Sequence, residues 1–388
     1  MTAGPRARER PLRALLARVR PLRALLALPA LLALSLLPTA QALAAPPSFE
    51  QVRAAHRPSD LLLVDRHGAP LNSVRVDLTV RRGDWVPLAE VSPALRTALV
   101  LSEDRRFWEH AGVDWAGLAR SAWANAVNRR TQGGSTLTMQ LAGLLDDGLA
   151  RPTGGRSVVQ KIGQIGLARE LEARWRKTEI LEAYLNSVPL RGELVGVAAA
   201  SQQLFGKHPS GLDAPEAAVL AALVRAPNAP AADVSRRACG VLQLQKLDCG
   251  GVALLADQAL TRRPGPAALA AGSPQLAPHL ARQAAAAWRA GPRPTGPLRS
   301  TLDARLQRVA LQALQQQLAE LQGRNVQDGA VLVLDNRSGE VLAWVGSAGA
   351  ALSSAHEVDA VLARRQPGST LKPFVYGLAF ERRLLTPA

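Results

Sequence analysis

The densest polar cluster in the sequence is the segment E-D-R-R-F-W-E-H, which runs from Glu103 to His110. It follows a stretch in which leucine and alanine recur at helical spacing, so Glu103 and Asp104 stand where a helix is expected to end. A carboxylate held there beside several cations could remove a proton from a substrate hydroxyl as a general base. The alternative is a solvated helix end, because runs of charge usually face water.

A second cluster, G-G-S-T-L-T-M-Q from Gly133 to Gln140, combines glycines, hydroxyls and an amide at the start of another expected helix. The first turn of a helix leaves backbone N–H groups without partners, and these groups can meet an anion or a sugar. The candidate substrate contacts in this cluster are Ser135, Thr136 and Gln140.

A third segment, from Arg156 to Gln164, contributes the cations Arg156 and Lys161. If its helix packs against the first two clusters, these cations could hold a pyrophosphate. The composition points the same way, since 47 Lys and Arg against 31 Asp and Glu give the 388 residues a formal charge of +16. Such an excess favours a polyanionic partner: a nucleic acid, an anionic lipid or a phosphorylated substrate.

The N-terminus narrows that choice. Residues 1–23 contain seven arginines and one glutamate, and residues 24–45 form an apolar stretch rich in leucine and alanine. A basic lead followed by an apolar run is typical of export, either as a retained membrane helix or as a cleaved signal peptide. Both place the rest of the chain outside the cytoplasm, which argues against a nucleic acid and favours an envelope partner. In this compartment the two cysteines, Cys239 and Cys249, either form a disulfide or stay free.

The segments around these clusters predict the domain organisation. Residues 61–80 are typical of a β-hairpin, and residues 92 to about 224 are mainly helical. After Pro227, proline, glycine and alanine mark a connecting region with some helix, and a helix and a hairpin follow from about residue 300. We therefore expect a leader (1–45), a helical domain (46–232), a linker region (233–298) and a C-terminal domain (299–388).

Five motifs stand in order along the chain: E-D-R-R-F-W-E-H-A-G-V-D, G-G-S-T-L-T-M-Q, the Lys161 segment, K-T-E-I-L-E-A-Y-L-N and G-V-A-A-A-S-Q-Q-L-F-G-K. This series resembles the motifs of the peptidoglycan glycosyltransferases. The resemblance implies a mainly α, lysozyme-like glycosyltransferase domain on the periplasmic side of the bacterial inner membrane. The partners that it implies are the membrane, lipid II, the growing glycan strand and other envelope proteins.

The resemblance also assigns roles. Glu103 matches the general base that deprotonates the 4-hydroxyl of the acceptor sugar, and the release of polyprenyl pyrophosphate calls for cations. The substrate-binding positions that it implies are Asp104, Ser135, Thr136, Gln140, Arg156, Lys161 and Gln164. It requires no cofactor and assigns no metal ligand, although Mg²⁺ or Mn²⁺ could assist the leaving group.

Two positions depart from the family pattern. Gln164 stands where many relatives have a second glutamate, and Gly143 stands where a basic residue usually follows the second motif. Both changes weaken the electrostatic stabilisation of the donor, which leaves the turnover and the metal dependence open. They also leave open a catalytically silent, membrane-anchored protein that binds lipid II or envelope partners. A lytic enzyme that cuts existing glycan would not explain the cationic segment.

Near the C-terminus, the segment Q-P-G-S-T-L-K-P-F places Ser369 and Lys372 at S-x-x-K spacing. One helical turn apart, a neutral amine could accept the proton of the serine nucleophile. The segment and the hairpin before it resemble the transpeptidase domain of class A penicillin-binding proteins. Because later S-x-N and K-T-G elements do not follow, we expect an incomplete α+β transpeptidase domain without activity or stable penicillin binding.

Overall fold

The computed structural model describes residues 46–119, 134–149, 158–261, 274–291 and 296–386. Helices dominate these ranges, as the sequence predicts. In chain order they are α1 (Phe49–Ala55), α2 (Pro93–Glu103), α3 (Leu137–Leu145), α4 (Val158–Arg174), α5 (Lys177–Ser187), α6 (Val197–Phe205), α7 (Ala214–Arg225), α8 (Ala231–Leu244), α9 (Val252–Thr261), α10 (Pro278–Ala290), α11 (Ala304–Glu320) and α12 (Lys372–Glu381). The expected leader, residues 1–45, lies outside the described residues, and within the described ranges no helix has the length and apolar character needed to cross a bilayer.

The strands are short and form small sheets. They are β1 (Asp60–Val64), β2 (Pro70–Arg75), β3 (Arg81–Arg82), β4 (Pro189–Arg191), β5 (Leu194–Val195), β6 (Leu298–Arg299), β7 (Val331–Leu334) and β8 (Val341–Val345). The two predicted hairpins are confirmed as the antiparallel pairs β1–β2 and β7–β8. The first is shorter than predicted, because the Asp77 carboxylate accepts a hydrogen bond from the Thr79 backbone N–H and turns the chain after β2.

The main core is built around α7. A capping box starts this helix: the Asp213 carboxylate accepts from the Glu216 backbone N–H at 2.9 Å, and the Glu216 carboxylate accepts from the Asp213 N–H at 3.1 Å. Every residue from Ala217 to Leu223 is buried, and a helix that is apolar all round belongs at the centre of a domain. The neighbouring helices α2 and α8 pack against it.

Helices α8 and α9 belong to the same core. Their buried side chains include Val234, Ala238 and Val252, and a disulfide joins Cys239 of α8 to Cys249 just before α9. The structure therefore settles the state of the two cysteines as a pair. It also packs these two helices into the helical core, where the sequence predicts a connecting region with some helix.

Asp65, in the turn between β1 and β2, links the N-terminal hairpin to the C-terminal region. Its buried carboxylate accepts hydrogen bonds from the backbone N–H groups of His67 and Ala69, both at 2.8 Å, and of Ala304 in the first turn of α11 at 3.1 Å. Burial raises the pKa of Asp65, but these backbone donors outweigh it and hold the pKa below its usual value. Beside this turn, β1 also pairs in parallel with β6.

Candidate active site

Glu103 is the last residue of α2, the helix that begins with Ser92 as its cap and Pro93 in its first turn. Its half-buried carboxylate accepts a hydrogen bond from Gln140 Nε2 on α3 at 3.2 Å. The oxygen of the same amide, Oε1, accepts from the Tyr184 hydroxyl on α5 at 2.7 Å. Three helices thus contribute to the orientation of one carboxylate, and Tyr184 decides which end of the Gln140 amide faces it.

Asp104 follows Glu103 and has a different environment. Its buried carboxylate lies 3.0 Å from His110 Nε2 through both oxygens and accepts from the Leu137 backbone N–H, also at 3.0 Å. Leu137 is the first residue of α3, so a negative charge here also favours the positive end of that helix. Both oxygens of Asp104 are therefore engaged inside the protein, and its predicted contact with substrate stays a prediction.

The segment that follows Glu103, residues 104–114, is held by several local contacts. Gly112 has a φ of +88°, and a Cβ there would lie 2.8 Å from the Ala168 carbonyl oxygen on α4. The Gly112 carbonyl accepts from the Thr136 hydroxyl at 2.6 Å. Arg106 pairs with Asp114 at 3.0 Å. The two Gly112 contacts hold this segment against α4 and against Thr136, which directly precedes α3.

A partly buried ion pair, Glu172 with Lys177, contacts α3. Glu172 on α4 accepts from the Thr138 hydroxyl at 2.6 Å and from Lys177 Nζ at 2.7 Å. The same ammonium lies 4.4 Å from the centre of the Phe107 ring, a favourable cation–π arrangement. The sequence analysis missed this group, although Glu172 stands four residues after the buried Ala168, on the face of α4 that packs inward.

The structure places Gln164 in contact with Gly143, which brings the two departures from the family pattern together. Gln164 is 1% exposed, and its Nε2 donates to the Leu149 carbonyl at 2.9 Å. A Cβ on Gly143 would lie 2.4 Å from that nitrogen, so only glycine leaves room for the amide in this position. Gln164 therefore links α4 to the short segment that directly follows α3, and its predicted contact with substrate stays a prediction.

The other predicted substrate contacts are distributed as follows. Thr136 is buried and caps α3 by accepting from the Met139 N–H at 3.1 Å, while Ser135 beside it is half-buried. Lys161 is exposed in the first turn of α4. Arg156 lies outside the described residues.

The S-x-x-K segment lies far along the chain and faces solvent. Ser369 belongs to a short 3-10 turn, and Lys372 opens α12. Both side chains are exposed, and in the described part of the chain no hydrogen bond joins them. Several large apolar side chains of α12, including Phe374 at 75% and Val375 at 60%, are exposed as well.

Comparison with known proteins agrees with this architecture. Residues 67–246 match the transglycosylase family, and residues 329–388 match the penicillin binding protein transpeptidase domain. The chain is 35% identical over 181 residues to the biosynthetic peptidoglycan transglycosylase of Rhodospirillum centenum, a match that covers 45% of this chain and 76% of that protein. The chain belongs to the peptidoglycan transglycosylase family.

Two further relatives are similar to this chain. It is 37% identical over 188 residues to the biosynthetic peptidoglycan transglycosylase of Cronobacter sakazakii, covering 47% of this chain and 75% of that protein. It is 39% identical over 315 residues to penicillin-binding protein 1C of Escherichia coli, covering 79% of this chain. The chain spans 39% of the length of the Escherichia coli protein. The resemblance to class A penicillin-binding proteins predicted from the motifs is confirmed.

The acidic and histidine side chains around Glu103 also bear on metal binding. Among the described residues, no three His, Cys, Asp or Glu side chains form a group that could hold a metal ion. Mg²⁺ usually binds through one or two carboxylates together with substrate phosphates, and both oxygens of Asp104 are already engaged. The residues that the structure describes do not form a protein cage for Mg²⁺ or Mn²⁺, and assistance by such an ion stays a prediction.

Proposed function

We propose that the transglycosylase domain polymerises lipid II into β-1,4-linked glycan strands, with Glu103 as the general base. The observation that carries the proposal is the orientation of the Glu103 carboxylate by Gln140, which is itself oriented by Tyr184. A base must stand within hydrogen-bond reach of the proton that it removes, and a carboxylate fixed by neighbouring helices meets that requirement better than a mobile one. Membership of the peptidoglycan transglycosylase family supports the same reaction.

In this reaction Glu103 accepts the proton of the 4-hydroxyl of the acceptor N-acetylglucosamine. The oxygen forms a bond to the anomeric carbon of the donor N-acetylmuramic acid, and the bond between that carbon and the pyrophosphate oxygen breaks. The configuration at the anomeric carbon inverts, and polyprenyl pyrophosphate leaves with the electron pair. Negative charge accumulates on the leaving group, so cations stabilise this transition state most. Lys161 and Arg156 are the residues that we assign to this role.

The donor is a lipid, so the reaction takes place at a membrane surface. We assign the protein to the bacterial inner membrane, with its catalytic domain on the periplasmic side. The basic and apolar segments of residues 1–45 support this location, because their order is typical of export. The helical architecture around Glu103 is compatible with the lysozyme-like fold that the motifs predict.

The direct test is polymerisation of labelled lipid II by the full chain in lipid vesicles. We expect Glu103→Gln to reduce the rate by about 10²–10⁴-fold, the usual contribution of a general base. Glu90→Gln is the matched control, because Glu90 is an exposed residue in the short 3-10 turn that precedes α2, at the opposite end of that helix from Glu103. Undiminished strand growth by the Glu103 variant would overturn the mechanism. Lipid II binding without any product from the wild-type chain would support the silent binding protein instead.

A further inference from the structure

His110 is a buried side chain for which the proposed chemistry has no role so far. Only 7% of its side chain is exposed, and its Nε2 lies 3.0 Å from both oxygens of Asp104. An ionised carboxylate only accepts hydrogen bonds, so this nitrogen carries the proton and donates. The other ring nitrogen, Nδ1, is buried and has no hydrogen-bond partner in the described part of the chain.

The unpartnered Nδ1 argues against a role for His110 that is limited to packing. A buried polar atom without a partner is unfavourable, and an apolar side chain of similar size would avoid that cost. The ring centres of His110 and Phe107 are 6.4 Å apart in an edge-to-face arrangement, so the imidazole also has an apolar neighbour. The interaction through Nε2 with Asp104 is therefore the feature that distinguishes histidine at this position.

Asp104 connects the end of α2, which carries Glu103, to the start of α3, which carries Gln140. It is the residue immediately after Glu103, and its carboxylate binds the backbone N–H of Leu137, the first residue of α3. Gln140, three residues further along α3, donates to the Glu103 carboxylate. Rotation of the Asp104 side chain would release the start of α3 and displace the amide that orients Glu103.

We propose that His110 is a positioning residue for the transferase reaction and acts through Asp104. Its Nε2–H holds the Asp104 carboxylate in the orientation that caps Leu137, and this cap fixes the distance between Gln140 and Glu103. His110 does not touch Glu103 and exchanges no proton with the substrate. The inference rests on the proposed function for its kinetic consequence, but the hydrogen bond from Leu137 can be measured without any catalysis.

The kinetic test compares four variants with the wild type: His110→Ala, His110→Gln, Asp104→Asn, and the double variant that combines Asp104→Asn with His110→Ala. A displacement of about 1 Å of a catalytic group can cost about 10²-fold in rate, so we expect a loss of that order in kcat for His110→Ala with little change in KM. Glutamine places an amide N–H near the position of the lost Nε2–H, so His110→Gln should recover most of the rate. His208→Gln, which changes an exposed histidine, is the control.

The double variant separates positioning from a general loss of packing. If His110 acts through Asp104, the alanine substitution should slow the Asp104→Asn enzyme far less than it slows the wild type. Independent, multiplying effects of the two substitutions would overturn the proposal. So would a wild-type kcat for the folded His110→Ala protein.

A second readout does not depend on activity. Hydrogen exchange of the Leu137 amide should be faster in His110→Ala than in the wild type and near wild-type in His110→Gln. If the alanine variant does not fold, the glutamine variant carries the test, since it must keep both the protection of Leu137 and most of kcat. Unchanged Leu137 protection in a folded alanine variant would refute the role of His110 even if Glu103 is the base. If the wild-type chain has no transferase activity but the Leu137 amide still loses protection in His110→Ala, only the proposed function is refuted.

Discussion

Replacing Tyr184 by phenylalanine removes a single oxygen from a fully buried position behind the active site. The Tyr184 hydroxyl donates to Gln140 Oε1 at 2.7 Å, and this bond orients the amide so that its Nε2 meets Glu103. Tyr184 is 1% exposed, so water does not replace the lost hydroxyl easily. Without it, the Gln140 amide can turn over and present its carbonyl oxygen to the Glu103 carboxylate, which is repulsive.

The expected effect follows from the energy of one hydrogen bond. A typical intramolecular bond contributes about 0.5–1.5 kcal/mol net, and a partner left unpaired raises the cost toward about 1–3 kcal/mol. A factor of ten in rate corresponds to about 1.4 kcal/mol, so a loss of about 0.5–1.5 kcal/mol in the transition state predicts a decrease of about 2–12-fold in kcat. The free energy of unfolding should fall by a similar amount, because the same bond joins α3 to α5.

The assay is the initial rate of lipid II polymerisation over a range of substrate concentrations, with urea unfolding of the same preparations. Tyr376→Phe is the matched control, because the chain has two tyrosines and Tyr376 is 49% exposed on α12. A Tyr184→Phe enzyme with wild-type kcat would show that the orientation of Gln140 does not matter for Glu103. The reasoning that connects α5 to the base would then be wrong.

Three further predictions concern the framework. Asp65→Asn should lower the free energy of unfolding by about 1–3 kcal/mol in urea at pH 7, because the carboxylate that binds the N–H of Ala304 is lost. The pKa of Asp65 is lower in the folded state than in the unfolded one, so its ionisation stabilises the fold at pH values above the unfolded pKa of about 3.9. This stabilisation is lost as the pH falls through the folded pKa. The variant should therefore lose part of the acid sensitivity of the wild type. Gly112→Ala should destabilise the fold by about 1–3 kcal/mol, measured by thermal unfolding, because φ is positive and the new Cβ meets a carbonyl oxygen; a neutral effect would contradict the close contact. Replacing Cys239 and Cys249 together by serine should cost about 2–4 kcal/mol relative to the oxidised wild type, and a reduced wild-type chain of equal stability to the oxidised one would disprove this.

Features that depend on near neighbours in the chain were predictable. Ser92 and Pro93 mark the start of α2, the box of Asp213 and Glu216 marks the start of α7, and both hairpins form where the strand pattern and turn residues predict them. These signals act within about four residues, so no knowledge of packing is needed. The position of Glu103 at the end of a helix follows in the same way.

The partners of a site residue that lie far away in the sequence could not be predicted. The motifs predict that Asp104 and Thr136 contact substrate, which stays a prediction, and the structure adds partners inside the protein: the N–H of Leu137, 33 residues from Asp104, and the carbonyl of Gly112 for Thr136. Gln164 was assigned to substrate as well, and it fills the space beside Gly143. A motif gives the type of a side chain, whereas its direction depends on how each helix is rotated against its neighbours.

The sequence by itself determined most helices and strands, the family and the identity of the candidate base, because each of these depends on the order and spacing of residues that are near one another in the chain. The tertiary structure alone decided that Tyr184 and Gln140, 44 residues apart, orient Glu103, and that α8 and α9 join the helical core. It also decided that β1 pairs with β6, more than 230 residues later. Such contacts arise when helices and strands bury their apolar faces together, and the polar partners are fixed by that packing.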